Sequence, residues 1–161
     1  MTSTTVADTG TAGLRHVFGH FATGVTVITT MASGEPAGFC CQTFVPVSLE
    51  PPLVSFCAAR TSRTWPRIRA SGAFCVNVLT ADQTDVARRF AAPSDQGRFT
   101  SLDLSPSPTG SPMLSGALAW IDCSLYSHQV AGDHHIVLGR VRHVRAAPTG
   151  DPLLYFRGTF A

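Results

Sequence analysis

A chain of 161 residues, 44% of them apolar, suffices for one hydrophobic core and leaves little for a second domain. Its net charge of +2, from 12 basic and 10 acidic residues, is too balanced for a surface built to hold nucleic acid or an anionic membrane. No apolar run reaches the roughly 18 residues that a membrane-spanning helix needs, so a soluble chain is expected.

Met1 to Gly13 is rich in Thr, Ser and Gly and has neither a basic n-region nor an apolar h-region. It reads as a disordered tail before a single domain over 14–161. Leu14, Val17, Phe18 and Phe21 follow at helical spacing, with Gly24 as a stop. Val25 to Met31 is β-branched and apolar, and Ser33-Gly34-Glu35-Pro36 turns it into a second extended segment from Ala37, a hairpin. Leu53 to Ala59 and Ala73 to Leu79 read as buried strands around a short helix, Thr61 to Ser71, in which Pro66 is tolerable only in the first turn. Thr80 to Gln83 has capping-box form ahead of a helical face at Val86, Ala87 and Phe90.

Ala92 to Pro112, broken by prolines and glycines, is expected as a long surface loop. Ala117 to Val130 and His135 to Ala146 are strand-like on either side of Ala131-Gly132-Asp133, and Leu153 to Phe156 is a last strand. Many strands, few short helices and no steady alternation predict a mainly β fold, a closed antiparallel barrel rather than a doubly wound sheet. No Gly-x-Gly-x-x-Gly is present, so a nicotinamide would not be held in the Rossmann manner.

Five cysteines, Cys40, Cys41, Cys57, Cys75 and Cys123, form an odd set without Cys-x-x-Cys spacing, which fits reduced cytosolic thiols better than disulfides or zinc. Cys57, Cys75 and Cys123 read as small core hydrophobes. No Ser-His-Asp set, His-Glu-x-x-His helix or paired carboxylate appears, so hydrolytic and metal chemistry have little to rest on. A bound organic cofactor needs fewer protein groups.

Three stretches can carry chemistry. In Gly38 to Val54 a strand dissolves into an irregular run before Pro51-Pro52 re-enters a strand, exposing backbone groups to a ligand edge; a plain proline-broken connection is the alternative. Arg60-Thr61-Ser62-Arg63-Thr64 gathers hydroxyls, guanidinium groups and free helix N–H groups as a phosphate requires, or simply caps a helix. Gly132-Asp133-His134-His135 lies at a hairpin tip, where neighbouring side chains point to opposite faces, so the two histidines do not both line one pocket.

In this order the segments resemble the flavin reductase-like family, the small reductase components of two-component flavin monooxygenases. The resemblance runs from about Leu14 to Phe160. It is carried by Phe21-Ala22-Thr23-Gly24-Val25, Gly38-Phe39 through Ser48-Leu49-Glu50-Pro51-Pro52-Leu53, Arg60-Thr61 with Thr64, Arg89-Phe90-Ala91, Gly97-Arg98-Phe99, Gly132-Asp133-His134 with Gly139, and Pro152 to Phe156. It implies a split β-barrel that binds FMN or FAD near the interface of a homodimer, with NADH or NADPH as hydride donor and a flavin-dependent monooxygenase as recipient, in the cytoplasm.

By the same resemblance Cys40, Cys41, Gln42, Thr43, Phe44 and Ser48 would contact the flavin ring and ribityl chain. Arg60, Thr61, Ser62 and Thr64 would hold phosphate, with Arg89, Phe90, Arg98 and Phe99 as further contacts, and His134 would lie near the nicotinamide. Family members usually show Thr-Ala/Val-Asn/Ser-Ser-Phe-x-Ser where this chain has Cys40-Cys41-Gln42-Thr43-Phe44-Val45-Pro46. Each lost hydrogen bond there weakens flavin binding by about 0.5–1.5 kcal/mol, which would make flavin a passing substrate. The rival reading is a flavin- or ligand-binding barrel without reductase activity.

Overall fold

The structure is a computed structural model that describes residues 9–161, so the first eight residues of the expected tail lie outside the described residues. Helix α1 (Thr11–Phe18) starts inside the stretch read as tail and stops at Gly19 rather than Gly24. It buries no residue: Val17 is 52% exposed and Phe18 is 66% exposed. Among the described residues its apolar stripe therefore has no partner that buries it.

The strands are β1 (Thr23–Gly24), β2 (Thr26–Ala32), β3 (Glu35–Cys41), β4 (Val45–Leu49), β5 (Pro52–Ala59), β6 (Ala73–Val78), β7 (Leu104–Pro106), β8 (Pro112–Leu114), β9 (Ala119–Ala131), β10 (His134–Ala146), β11 (Leu154–Phe156) and β12 (Thr159–Phe160). Helix α2 (Thr64–Ser71) links β5 to β6, with Pro66 in its first turn and Gly72 in the left-handed conformation at its end. Helix α3 (Thr84–Ala91) follows β6 through a short turn that carries the expected Thr80–Gln83 capping box.

The main sheet is antiparallel in the order β3-β2-β6-β9-β10-β5-β4. The hydrogen-bonded order does not return on itself, whereas the sequence pointed to a closed barrel. Gln42 to Phe44 nevertheless bring its two edges together. These three residues join the two edge strands β3 and β4, and at about 3.5 Å per residue they force the edges to within about 14 Å of each other. The sheet thus curls into a barrel with an open seam at Gln42 to Phe44.

Strand β2 is buried along nearly its whole length because it has a core on each face. Ile28 joins Phe56, Phe74, Ile68 and Val137 in one cluster, and Val27 joins Leu79, Phe90, Leu114 and Leu153 in another. Strand β4 was not legible in the sequence, because Pro46 and Pro51-Pro52 spoil the pattern. It is an edge strand with a bulge between Pro46 and Ser48, which is where a missing N–H is tolerated. The expected surface loop over 92–112 instead folds back as β7 and β8, and buries Ser107 and Ser111 over Asp122. The Asp122 carboxylate accepts from Ser107 Oγ at 2.7 Å and from the Thr109 backbone N–H at 2.9 Å, so this buried charge is satisfied.

Candidate functional site

The seam is tied by one hydroxyl. Thr43 Oγ1 accepts the Cys57 backbone N–H of β5 at 2.8 Å and lies 3.2 Å from Cys41 Sγ of β3. The adjacent cysteines part company there, as neighbours on a strand must. Cys41 is 4% exposed in the inner core, and Cys40 packs on the second cluster. Burial pushes the Cys40 thiol up to about 12 and also raises that of Cys41. Both thiols are therefore packing groups with little thiolate character, and contact between this segment and a flavin would fall to its backbone. Phe44 likewise packs against the inner core.

Gln42 and Thr43 remain available, and they line a cavity of about 580 Å³ together with Arg15, Phe18, Phe21 and Tyr155. Aromatic walls with an amide and a hydroxyl at one edge suit a planar heteroaromatic ring. Ser48 lies past the bulge opposite Leu53 and is not one of these walls.

The phosphate-like segment and the hairpin tip, 70 positions apart in sequence, meet through β5 and β10. His134 pairs with Ala59, and the Arg60 backbone N–H donates to the Asp133 carbonyl at 2.9 Å. Arg60 and Thr61 are exposed, and among the described residues their side chains have no hydrogen-bond partner. Ser62 Oγ accepts the Trp65 backbone N–H at 3.2 Å and keeps its own proton to donate. A guanidinium and two hydroxyls at one strand end form a donor set that fits a phosphate.

His134 Nδ1 lies 2.7 Å from Asp133 Oδ1. A carboxylate only accepts, so Nδ1 carries the proton and Nε2 is left free on a ring whose side chain is 44% exposed. The same bond holds the Asp133 carboxyl below the usual range. Along β5, Cys57 touches the seam and Arg60 touches the tip, so the two regions are separated by three residues, about 10 Å of strand.

The side chains of the other expected contacts are engaged within the chain. Thr64 is 5% exposed and donates to the Gly38 carbonyl. Arg98 is 9% exposed and gives its donors to the carbonyls of Gly38 at 2.7 Å, Ala92 at 2.6 Å and Ser94 at 3.1 Å. Arg89 donates to the Thr100 carbonyl, and Phe90 is a core residue that meets Phe99 edge to face. With Arg63 bound to Pro93 and Asp95, these arginines staple the segment 92–100 to the barrel. Their sequence looked anionophilic because guanidinium groups serve carbonyls as readily as phosphates. Replacing Arg98 by lysine is expected to strand at least one carbonyl and lower stability by about 1–3 kcal/mol, read as a lower urea midpoint with unchanged slope.

Sequence reasoning missed Trp65 and His128 and set His135 apart from His134 without finding its partners; the three cluster beside the tip. They come from three elements and share no spacing signal.

Among the described residues no helix is long and apolar enough to cross a membrane. The flavin reductase like domain family matches residues 18–161. The chain is 49% identical over 146 residues to the flavin-dependent monooxygenase reductase subunit HsaB of Rhodococcus jostii, covering 91% of this chain and 74% of that one. Among solved structures, nitrilotriacetate monooxygenase component B from Mycobacterium thermoresistibile superposes with a TM-score of 0.90 at 44% identity, covering 93% of this chain and 84% of that one. The Streptomyces globisporus NADH:FAD oxidoreductase SgcE6, solved with NAD and FAD fragments, superposes with a TM-score of 0.93 at 36% identity, covering 98% and 96%. With a family match over its residues 18–161 and 49% identity to a relative over 91% of its length, this chain belongs to the flavin reductase like domain family.

Proposed function

We propose that this flavin reductase, acting as one domain over 14–161, passes a hydride from NADH or NADPH to FMN or FAD and delivers reduced flavin to a flavin-dependent monooxygenase. The observation that carries the site assignment is that β5 brings three features together: the Thr43 seam, the free donors of Arg60 to Ser62, and the Asp133–His134 tip. Arg60, Thr61 and Ser62 hold the phosphate, and Gln42 and Thr43 face the ring across the seam. When bound, the flavin supplies the hydride acceptor and the reduced nicotinamide the donor, so the protein's task is to stack them roughly 3–3.5 Å apart and exclude water. His134 Nε2, oriented by Asp133, positions the nicotinamide carboxamide.

The exposed apolar edge supports a homodimer. Val45 and Val47 on β4 are about half exposed, Leu49 is 94% exposed, and Phe21 beyond α1 is 78% exposed. An unpaired edge strand and an apolar helix face of this size call for cover, and a second copy supplies it. Five free thiols support a reducing, cytoplasmic setting.

The test is an anaerobic titration with FMN and with FAD, then rapid mixing with NADH or NADPH. Bleaching of the flavin's visible absorbance at a rate that saturates with nicotinamide is expected. Tight flavin binding without bleaching by either nicotinamide leaves the non-reducing binding protein as the answer.

A further inference from the structure

Trp65 is 3% exposed, and its indole Nε1 is buried without a hydrogen-bond partner. Its ring meets His128 of β9 edge-on at 5.0 Å and His135 of β10 obliquely at 5.4 Å, and the two imidazoles meet at 5.8 Å. His135 Nδ1 is also buried and unpartnered. Apolar rings would fill this space without orphaned polar atoms, so packing alone does not account for the choice of residues.

The stack spans the two halves of the ligand site. His135 directly follows His134 and pairs with Ala58 and Val130, while the Trp65 backbone N–H donates to Ser62 Oγ. We propose that His135 is a positioning residue: as a neutral ring wedged against Trp65 and His128 it holds the Asp133–His134 tip beside Arg60 to Ser62, and its protonation releases the tip. The inference rests on the reading of Arg60 to Ser62 and His134 as ligand groups.

A proton on His135 would join a crowd of cations. His128 on β9, Arg60 at the end of β5 and Arg69 on α2 all act on it, and the nearby Asp133 carboxylate is committed to His134. Desolvation first, then these three groups, hold its pKa below the ordinary histidine value. The unfolded chain therefore binds this proton more readily than the folded one. The stack's contribution is complete above the ordinary histidine range and is lost as pH falls through it.

Two readouts test this. In a Trp120→Phe background Trp65 is the one remaining tryptophan, and imidazolium quenches indole emission. Titrated from about pH 8 to about pH 5, the span of histidine ionisation, its fluorescence should show a quenching step that His135→Phe abolishes. A step that survives His135→Phe unchanged overturns the proposal; if that variant folds poorly, His135→Leu serves in its place.

In single-turnover hydride transfer, the rate of the parent protein should fall about tenfold per pH unit below the step, whereas His135→Phe should keep its acid rate within about twofold of its own alkaline rate. His134→Gln must retain the acid limb. Loss of the limb in His134→Gln with retention in His135→Phe assigns it to His134 and sinks the idea. A protein that transfers no hydride at any pH refutes the reductase reading instead, and the fluorescence titration still judges the stack.

Discussion

His134→Ala is expected to slow hydride transfer on the order of 10²-fold, the cost of a reacting ring misplaced by about 1 Å, while the flavin dissociation constant changes by less than about threefold. The asymmetry follows from where the groups sit. Arg60, Thr61 and Ser62 belong to the β5–α2 connection and do not depend on the imidazole. The tip keeps its place without the His134 ring, because the Arg60 N–H still donates to the Asp133 carbonyl, the 134–59 pairing is made by backbone and the neutral His135 stays against Trp65. Only the oriented Nε2 is lost. Asp133→Asn should reproduce a smaller part of the effect, since an amide can accept from Nδ1 but no longer fixes the tautomer by charge. Stopped-flow mixing of flavin-loaded protein with NADH separates the two constants. Unchanged transfer in His134→Ala would remove the residue from the site.

Gly139→Ala is expected to cost more than a methyl at any other glycine whose surroundings are described. A Cβ at this position would stand 2.2 Å from Phe74 Cζ and 3.2 Å from Cys123 Cβ. Phe74 cannot step aside: it is fully buried and meets Phe56 edge to face at 5.1 Å. Nor is the requirement one of backbone freedom. Gly139 sits at a register shift of β10, where the long hairpin bends over the inner core and the backbone approaches the ring directly. Overpacking of this kind costs about 3 kcal/mol, which for a chain of this size lowers the melting temperature by about 6–12 °C. Thermal melts followed by circular dichroism measure it, and Phe74→Leu in the same chain should restore part of the loss by clearing the ring edge. A Gly139→Ala protein that melts with the parent would contradict the packing.

Much of the fold was written in local pattern. The Ser33-Gly34 turn has positive φ at both residues, as a tight hairpin demands, and the β2–β3 pairing follows from it. The β9–β10 hairpin, α2 with Pro66 in its first turn, and the capping box at Thr80 were equally legible, because each depends on residues within a few positions of one another. Strand β4 was not, since an edge strand tolerates prolines that a pattern reading treats as breakers.

The residues of the proposed site divide in the same way. Composition and order alone determined a mainly β chain without a Gly-x-Gly-x-x-Gly fingerprint, and they singled out Arg60 to Thr64 and Gly132 to His135, whose donors and turn chemistry are local properties. Which predicted side chains stay accessible was decided only in three dimensions. Cys41, Thr64 and Arg98 have the right chemistry for a binding site, but the curl of the sheet turns the first into the core and spends the polar groups of the other two on the Gly38 carbonyl. The open seam and the Trp65–His135 stack arise from contacts between distant strands, and a linear pattern holds no record of which side chain another strand will cover.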